Sequence, residues 1–475
     1  MQAVQTAPRL AGRVPALPYV MELADGSQLE LLEWLRVLPD KRYVARARWR
    51  DQQVLAKVFV GPSAERHCRR EQRGIQRLLD QGIATPALLY QDTTPRRTCL
   101  LTAFIAPTRS LSQEWATVAA QPLLSADQEA LLARALAVIA AMHRNGIWHG
   151  DLHLGNLLVN DGNLLVIDGD CIRSETLGKP LSRRRARRNL GVFLAQLPVD
   201  LSDYLPQLAR HYGLLPGSIR QLQRLIRRVQ AWRLQKYLKK VQRDCTSFAA
   251  LRTRDSLALV RRRQLDQDHL GPLVQDPDAV LANGRFYKQG GTAAVAAVDW
   301  HDQTWLLKRY NIKSVGHWLT RCWRASRAWH SWVAAHLLAF VGIPTASAVM
   351  VKEQRTFGVL RGPAWLLLEH CGDDDLLRRW APWAEQGLPP QAEREALLAL
   401  VADLRRLRIG HGDLKGHNLL WRDGQWLLID LDSLRRYRSG WGYRRAYARD
   451  RARLLRNWAP HSALYQWLDQ ALPAA

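Results

Sequence analysis

A stretch of 22 residues occurs twice in this chain, and the repeat limits the possible folds more than any other feature. The first copy, HGDLHLGNLLVNDGNLLVIDGD, occupies residues 149–170, and the second, HGDLKGHNLLWRDGQWLLIDLD, occupies residues 411–432. The aspartates, the asparagine and the turn glycine all recur at an offset of 262 residues, as from Asp151 to Asp413. A chain of 475 residues is long enough for two domains that each bury a core. The sequence therefore predicts a duplicated domain.

Each copy carries a carboxylate, an amide and a second carboxylate at a spacing that suits phosphoryl transfer. In the second copy Asp413 comes first, Asn418 follows five residues later, and Asp430 follows a short apolar segment. In this chemistry an aspartate orients the acceptor hydroxyl and receives its proton, and oxygen ligands hold magnesium ions that neutralise phosphate charge. The first copy offers the equivalent set Asp151, Asn156 and Asp168.

The segment between the asparagine and the second carboxylate is predicted to be a β-hairpin. An Asp-Gly pair stands between two apolar runs in both copies, at residues 161–162 and 423–424. Asp-Gly favours the two-residue turn of a hairpin. Each hairpin is therefore expected to bring its second carboxylate back beside the loop aspartate and asparagine.

The pattern His-x-Asp-x-x-x-x-Asn, followed by a strand pair and an aspartate, resembles the catalytic loop and metal-binding segment of the protein-kinase-like superfamily. Gly150 and Gly412 stand where regulated protein kinases have the arginine that binds a phosphorylated activation loop. No Ala-Pro-Glu segment follows either copy. A regulated protein kinase is therefore disfavoured.

More specifically, the chain resembles the bacterial lipopolysaccharide kinase family, the Kdo and heptose kinases of InaA-like type. That family carries His-Gly-Asp, a Gly-Ile-Pro-Thr turn after its first helix, and Ile-Asp-x-Asp. Here GIPT occupies residues 342–345, and a degenerate GIATP occupies residues 82–86. The resemblance implies an α+β fold with two tandem protein-kinase-like domains, each with a small β-rich N-lobe and a larger helical C-lobe. We expect a first domain over 1–255, a linker over 256–278 and a second domain over 279–475.

The resemblance also implies nucleotide-binding residues ahead of each catalytic loop. Lys57 lies in the strand-like run VLAKVFV, and Glu71, in a predicted helix over 64–80, is its candidate partner. The alternatives, a solvated lysine at a sheet edge and an exposed glutamate among arginines, stay open. No glycine-rich turn precedes Lys57, where residues 38–42 read LPDKR. In the family Asn189 would be an aspartate that supports the catalytic loop.

The second copy keeps more of the expected site. Lys308 lies in WLLKRY as the counterpart of the first strand lysine, and Gly290 and Gly291 form a turn before it that suits phosphate. Asp450 stands near the position of the supporting aspartate, whereas Ser331 occupies the position of the helix glutamate. We therefore expect the second copy to be the better-equipped site, with its lysine paired to another group.

Composition indicates the kind of partner and the cellular location. The net charge is +26, which favours polyanions such as anionic lipid, phosphorylated glycan or nucleic acid. A predicted basic helix over 218–243 suits an anionic membrane surface, or is a C-lobe helix with a solvated face. The first 28 residues suggest a loose leader without an apolar signal core, and six scattered cysteines suggest reduced thiols. We expect a cytoplasmic protein, peripheral at the inner face of the inner membrane.

The resulting hypothesis is an ATP- and Mg²⁺-dependent kinase that phosphorylates heptose or Kdo in the lipopolysaccharide inner core, an anionic glycolipid. One alternative is a scaffold for core-assembly enzymes in which one or both copies are pseudokinases, as the missing glycine turn, Asn189 and Ser331 suggest. Another is a small-molecule phosphotransferase of aminoglycoside or choline type, although such enzymes present acidic pockets to cationic acceptors. Nucleic acid is not expected to be the primary partner.

Overall fold

The computed structural model describes residues 16–38, 41–94, 97–213, 217–262, 271, 273–300, 303–312, 322–384 and 387–474. Its internal contacts divide the chain into two units, Met1–Trp232 and Arg233–Ala475. Each unit combines an antiparallel sheet with a mainly helical portion, as the sequence predicted for a tandem α+β protein.

The first unit opens with a six-stranded antiparallel sheet in the order β1-β2-β3-β4-β6-β5. Apolar side chains of β3 and β4 alternate with polar ones, so that one face of the sheet is buried. In this register Lys57 pairs with Val44 on one side and Leu100 on the other, which makes its strand central. The strands are β1 (Tyr19–Glu22), β2 (Gln28–Leu38), β3 (Arg42–Trp49), β4 (Gln52–Val60), β5 (Leu88–Thr94) and β6 (Arg97–Ala103).

Helix α1 (Ala64–Asp80) packs against this sheet and has the bounds that the sequence predicted. Its buried residues include Cys68, Ile75 and Leu78, at helical spacing. Gly74 on the same face lies so close to the chain that a Cβ atom there would meet the carbonyl oxygen of Gly169 at 1.9 Å. Only glycine permits this approach between the helix and the segment after the first catalytic loop.

The rest of the first unit is mainly helical and surrounds the first catalytic loop. Its apolar core is formed by residues such as Leu132, Ile139 and Phe193, all of them fully buried. The helices are α2 (Leu111–Val118), α3 (Ala126–Arg144), α4 (Arg183–Leu194), α5 (Leu205–Tyr212) and α6 (Ile219–Lys240), the last of which continues past the division between the units. The short strands are β7 (Arg109–Ser110), β8 (Ile147–His149), β9 (Leu157–Asn160), β10 (Asn163–Val166) and β11 (Ile172–Ser174).

The second unit contains a seven-stranded antiparallel sheet in the order β12-β13-β17-β18-β16-β15-β14. Lys308 on the third strand from one edge pairs with Val295 and Leu366. The strands are β12 (Phe248–Arg252), β13 (Ser256–Arg261), β14 (Arg285–Lys288), β15 (Ala293–Trp300), β16 (Gln303–Tyr310), β17 (Ala348–Thr356) and β18 (Leu360–Glu369).

The helical part of the second unit buries several tryptophans, among them Trp332, Trp380 and Trp426. Its helices are α7 (Pro277–Ala282), α8 (Arg327–Val341), α9 (Leu376–Trp380), α10 (Gln391–Leu407), α11 (Gly440–Leu455) and α12 (Ala463–Ala471). Its short strands are β19 (Ile409–Gly410), β20 (Leu419–Arg422), β21 (Gln425–Leu428) and β22 (Arg435–Arg436).

Both predicted hairpins are present. The strands β9 and β10 pair antiparallel, as do β20 and β21. The turn residues have left-handed φ angles of 46° and 78° at Asp161 and Gly162, and of 50° and 78° at Asp423 and Gly424. Two consecutive residues with positive φ define the turn type that Asp-Gly favours.

Two segments differ from the sequence interpretation. Residues 248–252 and 256–261, expected at the end of the first domain and in the linker, form β12 and β13, and β13 pairs with β17 of the second sheet. Their apolar residues Leu257 and Leu259 are buried in that unit. Likewise, the expected leader contains β1, which pairs with β2 over Tyr19–Glu22. Within the described part of the chain, none of the helices has the length and apolar character needed to span a bilayer.

Candidate active site

The second catalytic loop is held by the side chain of His411, which is fully buried. Its Nδ1 accepts a hydrogen bond from the backbone N–H of Asp413 at 3.3 Å, so Nε2 carries the proton and donates to the carbonyl oxygen of Ile429 at 2.9 Å. Burial lowers the pKa of His411, although neighbouring carboxylates oppose the shift. The neutral imidazole thus ties the loop to the residue before Asp430.

Asn418 lies at the end of a 3₁₀ turn and faces the same loop. Its side-chain NH₂ donates to the backbone carbonyl of Asp413 at 2.8 Å, and its backbone carbonyl accepts from the backbone N–H of Ile429 at 3.0 Å. Because the side-chain NH₂ is engaged, the side-chain oxygen is the group that Asn418 offers to a metal ion.

Asp430 follows the hairpin in a left-handed conformation, with φ of 59°. Its carboxylate receives a hydrogen bond from Lys308 Nζ at 3.2 Å. Burial by itself would raise the pKa of Asp430, but the Lys308 ammonium outweighs burial and the pKa is lowered. The carboxylate is therefore ionised and available as a metal ligand near neutral pH.

The carboxylate of Asp413 is flanked by two basic side chains. Lys415 Nζ lies 3.2 Å from one oxygen, and the Arg453 guanidinium contacts the other oxygen and donates to the carbonyl of Gly412 at 3.1 Å. Sequence reasoning missed Arg453. It follows Asp450 by three residues on α11, a spacing that puts the two side chains on one helical face. That spacing was the available indication.

Asp450 supports the loop from α11, as expected for a supporting aspartate. Its buried carboxylate accepts from the backbone N–H groups of His411 at 2.7 Å and Gly412 at 2.9 Å. Burial raises the pKa of Asp450, and these hydrogen bonds partly offset that effect. In the first copy Asn189 donates instead, to the carbonyl of His149 at 2.7 Å. The support is retained there with the direction of the hydrogen bond reversed.

The first catalytic loop has the same local geometry. His149 Nε2 donates to the carbonyl of Ile167 at 3.0 Å, and its Nδ1 accepts from the N–H of Asp151 at 3.2 Å. The side-chain amide of Asn156 donates to the carbonyl of Asp151 at 3.0 Å. Asp168 is left-handed, with φ of 67°. The duplicated sequence thus folds twice into one hydrogen-bond pattern.

The two copies differ at the strand lysine. In the first, Lys57 forms an ion pair with Glu71, which is only 1% exposed and so is not the exposed glutamate of the alternative interpretation. The Glu71 carboxylate also accepts from the backbone N–H groups of Gly169 at 3.1 Å and Asp170 at 3.0 Å. Helix α1, strand β4 and the segment after Asp168 are therefore joined by one carboxylate.

In the second copy no glutamate occupies that place, and the lysine contacts the hairpin aspartate directly, as described above. Ser331 stands at the helix position and donates to Asp432 Oδ1 at 2.5 Å. Tyr310 donates to the same oxygen at 2.7 Å, and Arg327 donates to Oδ2 at 2.5 Å. The helix is thus connected to the segment after the hairpin through Asp432, two residues after Asp430.

The glycine turn before the second strand lysine lies between β14 and β15. Gly290 and Gly291 have φ of 87° and 68°, which side chains rarely adopt, and a Cβ atom on either would meet no atom within 4 Å. The backbone is therefore open on that side. In the first copy residues 39–40 of the corresponding segment lie outside the described residues; Arg42, just after them, lies 4.0 Å from the Asp168 carboxylate.

The donor set of each copy fits Mg²⁺ with a nucleotide. Among the described residues no group of three or more His, Cys, Asp or Glu side chains has metal-binding geometry. Magnesium in kinases takes only one or two protein carboxylates and completes its coordination with phosphate oxygens and water. The oxygens of Asn418 and Asp430, and of Asn156 and Asp168, match that requirement.

A two-lobed α+β fold, in which a loop aspartate, an asparagine and a hairpin aspartate are tied together beside a strand lysine, defines the protein-kinase-like class. The family model described as Lipopolysaccharide kinase (Kdo/WaaP) family matches residues 41–189 and 280–471. These two regions cover more than half of the chain, so the chain belongs to that family.

Other comparisons are more distant. No curated protein matches the chain. Among solved structures, it is similar to one described as WaaP in complex with acyl carrier protein, with 22% sequence identity and a TM-score of 0.32. The alignment covers 43% of this chain and 88% of that chain.

Proposed function

We propose that this protein is an ATP-dependent kinase that transfers a phosphoryl group to a sugar hydroxyl, of heptose or Kdo, in the lipopolysaccharide inner core. The observation that carries the proposal is the Asp413–Asn418–Asp430 arrangement, repeated in the first copy, in a chain of the lipopolysaccharide kinase family. Catalysis of phosphoryl transfer depends mainly on such positioning and on charge neutralisation.

In the second copy Asp413 is proposed as the group that orients the acceptor hydroxyl and receives its proton. Asn418 and Asp430 would hold Mg²⁺, which when bound neutralises charge on the phosphate oxygens. Lys308 would contact the nucleotide's phosphates, and the backbone of the glycine turn at Gly290 and Gly291 lies open for the same purpose. Asp151, Asn156, Asp168, Lys57 and Glu71 are proposed for the equivalent roles in the first copy.

We favour the second copy as the main site. It has the glycine turn, and the Asp450 carboxylate accepts both backbone N–H groups at the start of its loop. Arg453 and Lys415 hold the Asp413 carboxylate from two sides. By contrast, the side chain of Asp151 is 74% exposed, and among the described residues its only basic neighbour within 4.0 Å is His153 Nε2, at that distance.

The family and the net charge of the chain support the proposed acceptor and cellular location. A net charge of +26 suits an acceptor that already carries phosphates or carboxylates, and it suits peripheral contact with anionic lipid on the cytoplasmic side of the inner membrane. It disfavours the cationic acceptors of aminoglycoside and choline kinases.

The test is phosphorylation of purified core oligosaccharide by the full chain with ATP and Mg²⁺, read as ADP release and as the mass gain of one phosphate. Asp413→Asn should lose most activity. Asp423→Asn is the matched control, since its carboxylate is 86% exposed at a turn where asparagine accepts the same φ. Full activity in Asp413→Asn with none in Asp151→Asn would assign the reaction to the first copy. Activity that survives in the double variant would refute the proposal.

A scaffold with pseudokinase copies is the second candidate. The specific observation in its favour is the direct Lys308–Asp430 ion pair, formed where the helix glutamate is missing. Thermal stabilisation by ATP with Mg²⁺ separates the two candidates. Stabilisation that is reduced in Asp430→Asn and abolished in Asp168→Asn/Asp430→Asn supports the kinase, and the absence of any stabilisation supports the scaffold.

A further inference from the structure

The second unit contains a pocket of about 320 Å³ that the proposed chemistry does not use. Its basic lining residues are Arg324, Arg327, His330, Arg361 and Arg435. No aspartate or glutamate is found among the described residues that line it. A concave site with several guanidinium groups and no carboxylate in its wall is suited to an anion.

Two of the arginines are fixed by carboxylates that are themselves buried behind the wall. Arg327 donates to Asp432, whose side chain is 8% exposed, and Arg361 donates at 3.2 Å to Glu353, which is 0% exposed. A guanidinium carries five N–H donors, so the bond to Asp432 leaves donors of Arg327 for a ligand. Arg361 also donates to the carbonyl of Trp323 at 3.2 Å, and it contributes its positive charge to the pocket. These two side chains are therefore oriented in advance.

The other basic groups lack a carboxylate partner in the described part of the chain. Arg324, His330 and Arg435 are exposed, and none forms a hydrogen bond or ion pair through its side chain with a described residue. The pocket also includes Ser326 and Arg327, the N-cap and first residue of α8, where the helix dipole favours negative charge. The pocket thus carries more positive charge than the buried acids neutralise.

The pocket adjoins the segment that contains Asp430, because two of its lining residues, Tyr310 and Arg327, donate to Asp432. Lys308, two residues before Tyr310 on β16, contacts Asp430. An anion held here would lie beside the proposed active site but on different side chains.

We propose that this pocket binds a phosphate group. A phosphate monoester offers three acceptor oxygens and a charge of about −1.5 to −2, so it can pair with several arginines at once, whereas a single carboxylate offers two oxygens and one charge. Its source is either free phosphate or a phosphorylated sugar. Trp323, between the lining residues Cys322 and Arg324, is 72% exposed and offers an aromatic face for a sugar ring. The sugar assignment rests on the proposed function, whereas phosphate binding does not.

The experiment is calorimetric titration of the full chain, without nucleotide, with inorganic phosphate, with phosphorylated core oligosaccharide, and with the same oligosaccharide after phosphatase treatment. In Arg324→Gln/Arg435→Gln the phosphate affinity should fall on the order of tenfold or more. Arg252→Gln is the matched control, because Arg252 is also an exposed arginine, lies on β12 and is not among the residues that line the pocket. Trp323→Ala should weaken the binding of the phosphorylated oligosaccharide and leave the binding of inorganic phosphate unchanged.

Two further variants keep the result interpretable. Arg324→Lys/Arg435→Lys should retain part of the affinity, and circular dichroism should show all variants folded. Lys308→Gln should bind phosphate like the wild type, because that lysine belongs to the nucleotide site. Equal losses for phosphate and phosphorylated oligosaccharide assign the glycan as source, and loss for inorganic phosphate alone assigns free phosphate. Unchanged affinity in the double glutamine variant, or loss in Lys308→Gln instead, would overturn the proposal whatever the kinase assay gives.

Discussion

Replacing Glu71 by alanine should strongly destabilise the first unit. The carboxylate is 1% exposed, and it accepts from Lys57 and from the backbone N–H groups of Gly169 and Asp170. Its loss leaves one buried amide, one partly buried amide and one cation without their acceptor. An unsatisfied buried group costs about 1–3 kcal/mol, and breaking a buried ion pair from one side costs about 3–5 kcal/mol. These costs overlap and water relieves part of them, so we expect a loss of about 3–5 kcal/mol.

The matched control is Glu65→Ala on the same helix. Glu65 is 52% exposed, and among the described residues its ion-pair partner is Arg69, four residues later. An exposed pair of this kind contributes about 0.3–0.5 kcal/mol. Glu71→Gln should fall between the two variants, because it keeps the side-chain volume and one acceptor oxygen.

The assay is hydrogen exchange with mass spectrometry across a urea series, since it reports each unit's free energy of unfolding separately. Peptides from α1 and from residues 168–174 should lose protection in Glu71→Ala, while peptides from the second unit should not change. If Glu71→Ala and Glu65→Ala both lie within about 1 kcal/mol of the wild type, the bridging role assigned to this carboxylate is refuted.

Three further outcomes are expected. Asp450→Asn should lower the free energy of unfolding by about 2–3 kcal/mol and reduce kcat, because the carboxylate accepts hydrogen bonds from two backbone amides of the loop. Urea unfolding measures the first effect and ADP release the second, and a variant unchanged in both would contradict this role. Arg453→Gln should lower kcat roughly tenfold, because Asp413 loses the guanidinium that holds it, and an unaltered kcat would show that the contact is incidental. Burial lowers the pKa of His143 to about 4 from 6.5, so its contribution to stability is present above pH 6.5 and is lost as pH falls towards 4, by up to about 3 kcal/mol. The variant His143→Gln can still form a hydrogen bond with Asn189. Its free energy of unfolding, measured between pH 6.5 and 4, should fall less than that of the wild type, and an identical pH dependence would contradict the assignment.

Local features were predictable from the sequence because short-range chemistry determines them. Apolar spacing gave α1 its observed bounds, and the Asp-Gly pairs gave both hairpin turns. The catalytic loop was found for the same reason, since its residues lie within 22 positions of one another. The conformations of α1 and of both hairpins are determined mainly by residues that are close in the sequence.

Features that depend on distant residues were not predictable in the same way. Nothing near Lys308 in the sequence indicates that it contacts Asp430, 122 residues later. The same is true of Asp432, whose partners lie 101 to 122 residues away. The strands β12 and β13 were assigned to the end of a domain and a linker because turn-rich residues follow them at 271–278. Only their pairing within the second sheet shows that they belong to that sheet.

The most direct test of the account is calorimetric titration of the full chain with ATP in the presence of Mg²⁺. We expect one nucleotide bound in each half, binding in the first half alone for Asp430→Asn, and no binding for Asp168→Asn/Asp430→Asn, with every variant folded by circular dichroism. A double variant that binds ATP and Mg²⁺ as tightly as the wild type would contradict the central claim that these aspartates hold the metal-bound nucleotide.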